Sequence, residues 1–327
     1  MLYHPVKIGT LELGGNLFLA PVAGYSDRSF RSICVENGAS FTYTEMVSAE
    51  ALVRKNIKTE ALMARAANES AYAVQIFGGT PETMAAAAAE IVREKTRCEC
   101  IDINAGCPVP KIVKTGAGAA LTRDPERLGA VVAAVVRACG SDCAVTVKIR
   151  SGWDEGRITW REAAAAAMEA GAAAITLHAR TRAQGYEGKA DWQKLAELSA
   201  LAAGRIPIFG SGDLFTPEDA ERMLRETGCD GIMFARGAMG NPFIFRKTAD
   251  LLKAGSYQEV PTAVRIAAGF RELELLAADI GEAGACLEMR KRFCAYAKGI
   301  PGSSALRQKI VGAKTAAEYH AILDALC

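Results

Sequence analysis

The sequence predicts an α/β fold, a TIM (β/α)8 barrel followed by an all-helical region. Three observations predict it. Eight short apolar or β-branched runs recur along the chain, Ala- and Glu-rich stretches with helical spacing separate them, and after Phe245 only helical spacing continues. Near-continuous apolar strands alternating with helices imply a parallel sheet covered on both faces. Eight such units in about 240 residues match the size of this barrel. A doubly wound sheet is the alternative, but no GxGxxG follows a strand, and "GAGAAL" (116–121) is a partial match.

In chain order, "VKIGTLELGG" (6–15) alternates and predicts a hairpin closing the barrel bottom. The strands are expected at 16–20, 40–45, 72–77, 99–104, 143–149, 173–178, 206–212 and 229–235. Helices are expected at "TPETMAAAAAEIVREK" (80–95), "DPERLGAVVAAVVRAC" (124–139) and "TPEDAERMLRETG" (216–228). The last carries a Thr N-cap, a Pro at the first helical position and a terminal Gly. The expected domains are a barrel over 1–245 and a helical domain over 246–327.

The composition is that of an ordinary globular chain: 327 residues, half of them hydrophobic, 23% charged, net charge +2. No apolar run reaches membrane-spanning length, and the N-terminus lacks the basic start and apolar core of a signal peptide, so a cytoplasmic protein without membrane contact is expected. The ten cysteines are scattered, with one CxC (Cys98, Cys100) and no CxxC, which predicts neither a metal site nor a disulfide framework. A monomer is expected.

In such a barrel the chemistry sits at the C-terminal ends of the strands. Those ends carry Pro21-Val22-Ala23, Glu45-Met46, Gln75, Asn104 with Cys107, Lys148, His178, Ser211-Gly212-Asp213 and Ala235-Arg236. Loops after strands seven and eight form the usual phosphate site, and "GSGD" and "FARGAMGNP" supply glycines for close backbone approach and Arg236 for charge. Lys148 can serve as a Schiff-base nucleophile or hold a negative charge. His178, one of three histidines, can be a site residue or a core residue.

"LAPVAGYSDRSFR" (19–31), "TEMVS" (44–48), "QIFG" (75–78), "DINAGCP" (102–108), "KIRSGWD" (148–154), "LHARTRAQGYEG" (177–188), "GSGD" (210–213) and "ARGAMGNPFIF" (235–245) together resemble the tRNA-dihydrouridine synthase family, in its bacterial, nitrogen-regulation-like branch. The resemblance covers the barrel in order and the C-terminal helical segment. It implies an enzyme with FMN as cofactor that reduces uridines in the tRNA D-loop with NADPH as reductant. On that reading Pro21, Val22 and Ala23 line the flavin ring. Gln75 and Lys148 bond its polar edge, and His178 lies near the ring and ribityl chain. Ser211, Gly212, Asp213, Ala235 and Arg236 meet the ribityl and phosphate groups. The family usually has Asn where Ser211 stands and often Gly where Ala235 stands.

Reducing the C5–C6 double bond of uracil needs a hydride and a proton. A free thiol, with a pKa near about 8.5, stays protonated at neutral pH and can donate the proton. Cys107, between Gly106 and Pro108, is the expected donor, against the alternative of an inert buried cysteine. Asn104 is expected to bond the uracil edge. For the RNA, residues 289–317 hold seven Lys/Arg and no acid, among them Arg290, Lys291, Arg292 and Lys298. Lys111 and Lys114 past Cys107, and Arg180, Arg182 and Tyr186 after strand six, complete the expected tRNA-binding set. The rival readings are a dihydroorotate dehydrogenase-like FMN barrel acting on a small pyrimidine, a Schiff-base aldolase using Lys148, and a non-catalytic tRNA-binding protein.

Overall fold

The computed structural model describes residues 1–92 and 98–326. Hairpin strands β1 (Val6–Ile8) and β2 (Leu11–Leu13) precede β3 (Leu17–Leu19), β4 (Phe41–Thr42) and β5 (Val47–Ser48). Then come β6 (Ala73–Phe77), β7 (Cys100–Ala105), β8 (Ala144–Asp154), β9 (Arg157–Ile158), β10 (Ala174–Thr181), β11 (Ile208–Ser211) and β12 (Gly231–Phe234). The parallel sheet runs β4-β3-β12-β11-β10-β8-β7-β6, and a parallel bridge between Tyr43 and Ala73 joins its two edges. Eight parallel strands therefore close a barrel, one at each expected position. The β5 strand extends the top of β6, and β9 folds back on β8 as an antiparallel flap.

Helices α1 (Arg28–Glu36), α2 (Ala49–Val53), α3 (Ile57–Ala61), α4 (Pro81–Glu90), α5 (Pro110–Val113), α6 (Ala119–Arg123) and α7 (Pro125–Cys139) precede β8. They are followed by α8 (Trp160–Glu169), α9 (Trp192–Ala202), α10 (Pro217–Thr227) and α11 (Ile244–Ala254). The helix expected over 80–95 is α4, and part of that stretch, 93–97, lies outside the described residues. The 216–228 signals act as expected. Thr216 and Asp219 form a reciprocal capping box, Pro217 opens the helix, and Gly228 ends it in the left-handed region.

Strand alternation builds two layers inside the barrel. Odd positions such as Ile101, Ile103, Val145, Val147, Ile175 and Leu177 pack outward against the helices. The inward floor is Phe18, Phe41, Tyr43, Ala73, Cys100, Ala174, Phe209 and Met233, sealed below by Val6, Ile8 and Leu13 of the hairpin. Phe18 meets Phe209 and Phe41 edge-on, with centroids 4.9 and 6.1 Å away. Further along the strands the inward positions turn polar or small: Asp102, Thr146 and Thr176 lie directly above the floor on β7, β8 and β10, Gln75, Asn104, Lys148, His178 and Ser211 reach the cavity, and together they form the upper layer. At the barrel side, Arg31 is fully buried and paired with Glu69 at 2.7 Å, a charge pair closed by the Ser26 and Ala64 carbonyls.

The helical region is α12 (Thr262–Ile280), α13 (Glu282–Tyr296), α14 (Ser303–Gly312) and α15 (Ala316–Leu323). Its apolar cluster, from Ile266 to Leu323, is separate from the barrel core. The boundary expected after Phe245 falls inside α11, whose Ile244, Phe245 and Ala249 belong to the barrel core; the break between the two clusters lies in 255–261. The region docks on α1. Arg292 of α13 is buried and binds both Asp27, the N-cap of α1, and Glu272 of α12 at 2.5 Å, while Tyr296 donates to Glu272 at 2.7 Å.

Candidate active site

The upper layer opens into a cavity of ≈ 520 Å³ at the C-terminal ends of the strands. It is lined by Pro21, Val22, Ala23, Gln75, Asn104, Cys107, Lys148, His178, Tyr186, Ser211, Gly212, Asp213, Ala235 and Arg236. Residues spread over 216 positions thus meet because each lies at an inward position near the end of its strand or in the loop that follows it.

Lys148 is central. It is level with Asn104 on β7 and Thr176 on β10. Its ammonium has no hydrogen-bond or ion-pair partner among the described residues. Burial, with Arg150 nearby and Asp102 opposing, lowers it to about 8. Arg150 was missed by the sequence reading because β8 continues to Asp154 instead of ending at Ile149. Its guanidinium is buried and has no carboxylate partner among the described residues. Instead it donates to the carbonyls of Gly106 at 2.8 Å and of Thr181 and Gly185 at 2.9 Å, which ties the cysteine loop to the loop after β10. Met46, Tyr25 and Phe215 also line the cavity.

Cys107 is half-buried at the cavity wall. Burial raises its thiol above the usual range, outweighing the lowering by the Val109 amide and by Arg150. Asn104 Oδ1 accepts from the Gly106 amide at 3.1 Å and from the Cys107 amide at 2.9 Å, which fixes the loop. The Gly118 carbon, at φ +60°, packs so closely that a Cβ there would lie 2.7 Å from the Cys107 carbonyl.

Opposite, burial and the cations Lys148, Arg150, Arg180 and Arg236 hold His178 well below its ordinary value, so it is neutral. Its Nε2 lies 3.3 Å from the Arg180 guanidinium, which can only donate; the ring proton therefore sits on Nδ1. Arg180 also donates to both Asp213 oxygens at 2.8 Å and to the carbonyls of Glu187 and Gly188. Asp213 itself sits at φ +58°, in the left-handed region, which marks a strained turn at the end of β11. Arg236 stands 3.6 Å from Asp213 and lies over the rings of Tyr186 and Phe215 at 4.7 and 5.0 Å.

The residues expected to hold RNA separate into three groups. Arg180 and Arg292 are corrections: both are buried in ion pairs and are closed to a phosphate backbone. Arg290 donates to the Ala313 carbonyl within the helical region, and Arg182 stacks with Arg123 on Trp153 outside the cavity lining. Lys111, Lys114 and Lys298 are exposed; Lys111 lies on α5 and Lys114 caps its C-terminus, directly after the cysteine loop. Lys291 pairs with Glu288 at 2.5 Å and lies 5.3 Å over Tyr25 at the cavity rim. No helix among the described residues is long and apolar enough to cross a membrane.

The chain is similar to a "probable tRNA-dihydrouridine synthase" of Treponema pallidum (strain Nichols), with 56% identity over 100% of this chain and 97% of that protein. The "probable tRNA-dihydrouridine synthase" of Mycobacterium tuberculosis (strain H37Rv) is 38% identical over 98% of this chain and 84% of its own length. "tRNA-dihydrouridine synthase B" of Pseudomonas putida (strain KT2440) is 38% identical over 78% and 74%. Among solved structures, the fold is shared with histamine dehydrogenase from Rhizobium sp. 4-9 (TM-score 0.58, 18% identity, 76% of this chain and 48% of that one). It is also shared with dihydroorotate dehydrogenase (DHODH) from Eimeria tenella bound to ferulenol (TM-score 0.56, 15% identity, 77% and 85%). The dihydrouridine synthase (Dus) family model matches residues 18–326, and the chain belongs to that family.

Proposed function

We propose that this chain is an FMN-dependent tRNA-dihydrouridine synthase that uses NADPH to reduce the C5–C6 double bond of D-loop uridines. The observation that carries the reading is one cavity holding both a protonated thiol and an ammonium without a hydrogen-bond or ion-pair partner among the described residues. The cavity suits FMN on its own chemistry. Lys148 has no ion-pair partner among the described residues, Arg236 faces the β12 end, and Gly212 at φ +112° lets the backbone approach where a Cβ would lie 2.8 Å from the His178 ring. Ser211 and Ala235, where the family usually has Asn and Gly, both line the cavity; Ser211 keeps a hydroxyl, and Ala235 adds one methyl.

FMN held here and reduced by NADPH would supply the hydride for uracil C6. The protein's residues do the rest. Lys148 holds negative charge that develops in the cavity, a preorganised cation in a site of low dielectric. Gln75 and Asn104 present N–H groups to carbonyl oxygens. Cys107 delivers its Sγ proton to C5, and the resulting thiolate is reprotonated from solvent through the half-open wall. Arg150 and Asn104 hold the loop that carries it. Exposed Lys111, Lys114 and Lys298, with Lys291 at the rim, supply phosphate contacts for a tRNA whose uridine leaves its stack to enter the cavity. Incubating the FMN-loaded protein with NADPH and unmodified tRNA, then digesting to nucleosides for mass spectrometry, tests the reading. A dihydrouridine peak is expected. Its absence, with dihydroorotate handled instead, would move the assignment to a small pyrimidine.

A further inference from the structure

A chain of hydrogen bonds runs from the barrel interior to the cysteine loop, and each of its side chains is at least nine-tenths buried. Asp102, on β7 at the level of Thr146 and Gln75, accepts from Gln75 Nε2 at 2.6 Å and from Thr146 Oγ1 at 2.6 Å. Gln75 Oε1 accepts from Asn104 Nδ2 at 2.8 Å. Asn104 Oδ1 accepts from the amides of Gly106 and Cys107. The direction of this chain is dictated from both ends. A carboxylate only accepts, and backbone N–H groups only donate. Burial pushes the Asp102 carboxyl up to about 6, against Gln75, Thr146 and Lys148, so at neutral pH it is ionised and holds the accepting role.

The consequence lies at the cavity wall, which both amides line. The Asn104 oxygen is filled by two N–H groups. Among the described residues its remaining N–H has only the Met46 thioether, 3.7 Å away, and a thioether is a weak acceptor. Gln75 keeps one N–H with no partner among the described residues. Neither amide can rotate without placing N–H against N–H or oxygen against oxygen. We propose that Asp102 is a positioning residue that dictates, through Gln75 and Asn104, a donor-presenting corner in the cavity, so that the corner takes a carbonyl oxygen of a pyrimidine and rejects an exocyclic amino group. This rests on the reading above that a pyrimidine enters the cavity.

The test is reversal of the chain in the full-length, FMN-loaded protein. Asn104→Asp puts an acceptor against Gln75 Oε1 and is expected to lower the melting temperature by several degrees. Adding Asp102→Asn lets residue 102 donate to Gln75 Oε1 and Gln75 Nε2 donate to residue 104, so the double variant is expected to regain most of that loss. Adding Asp102→Leu to Asn104→Asp removes the same charge without offering a donor, and is expected to regain little. Equal recovery with Asn and Leu would reduce the effect to charge relief and overturn the proposal, as would an Asn104→Asp variant that melts like wild type. These arms need no turnover, so they stand apart from the assignment of the reaction. Once refolded, the reversed variant places a carboxylate oxygen where the Asn104 N–H stood, while Gln75 keeps one N–H, and it is expected to form no dihydrouridine in tRNA; wild-type yield from it would contradict the donor corner.

Discussion

Lys148 carries the electrostatics of the cavity. Its pKa of about 8 lies below that of a free lysine because the neutral form is easier to bury, and an anion beside it restores the charged form. Affinity for FMN is therefore expected to be greatest below pH 8 and to fall as the pH rises through it, a trend that flavin fluorescence titration reads directly. Lys148→Met should weaken FMN binding by about 10–100-fold, the worth of a hydrogen bond to a charged group, and flatten that pH dependence. The neighbouring cation Arg150 was invisible as a site residue in the sequence. The apolar run stops at Ile149, and nothing before the structure shows β8 continuing into a flap with β9. Gln75, Asn104 and Lys148 were legible because each follows an apolar strand. The direction of their hydrogen bonds was not, since it depends on Asp102, an inward position that looks like part of the strand.

At the scale of elements, the strands place their first inward residues on the sealed floor and later inward residues in the site. The tightest junction is the end of β11. Gly212→Ala would force a Cβ to within 2.8 Å of His178 at a φ of +112°. The cost should be about 2 kcal/mol, seen as a lower melting temperature together with weaker FMN binding. The eight strands and the capped helix α10 were readable from period and cap residues alone. The short elements α5, α6, β5 and β9 carry too few residues to show a period, and they emerge only from the loops around the site.

At the scale of the molecule, the helical region is fixed to the barrel through Arg292, whose partners Asp27 and Glu272 come from different regions. Charge counting along 289–317 puts Arg292 in a basic face. The helical spacing Met289, Arg292, Phe293 and Tyr296 instead puts it on the buried stripe of α13, where its charge is neutralised by buried acids. Arg292→Ala leaves Glu272 uncompensated in the interface and should cost ~3–5 kcal/mol, measured by chemical unfolding. Lys298→Ala and Lys111→Ala, by contrast, should leave stability unchanged, weaken tRNA binding and reduce its salt dependence.

The central claim is that Cys107 gives its proton to uracil C5 in a cavity organised by Lys148. The most direct measurement is turnover of unmodified tRNA with NADPH in deuterated water, with the product nucleoside examined for isotope position. Thiol protons exchange with solvent, so the account predicts dihydrouridine carrying deuterium at C5, and a rate for Cys107→Ala lower by about 10²–10⁴-fold, the worth of a general acid. Dihydrouridine formed by Cys107→Ala at the wild-type rate would contradict it.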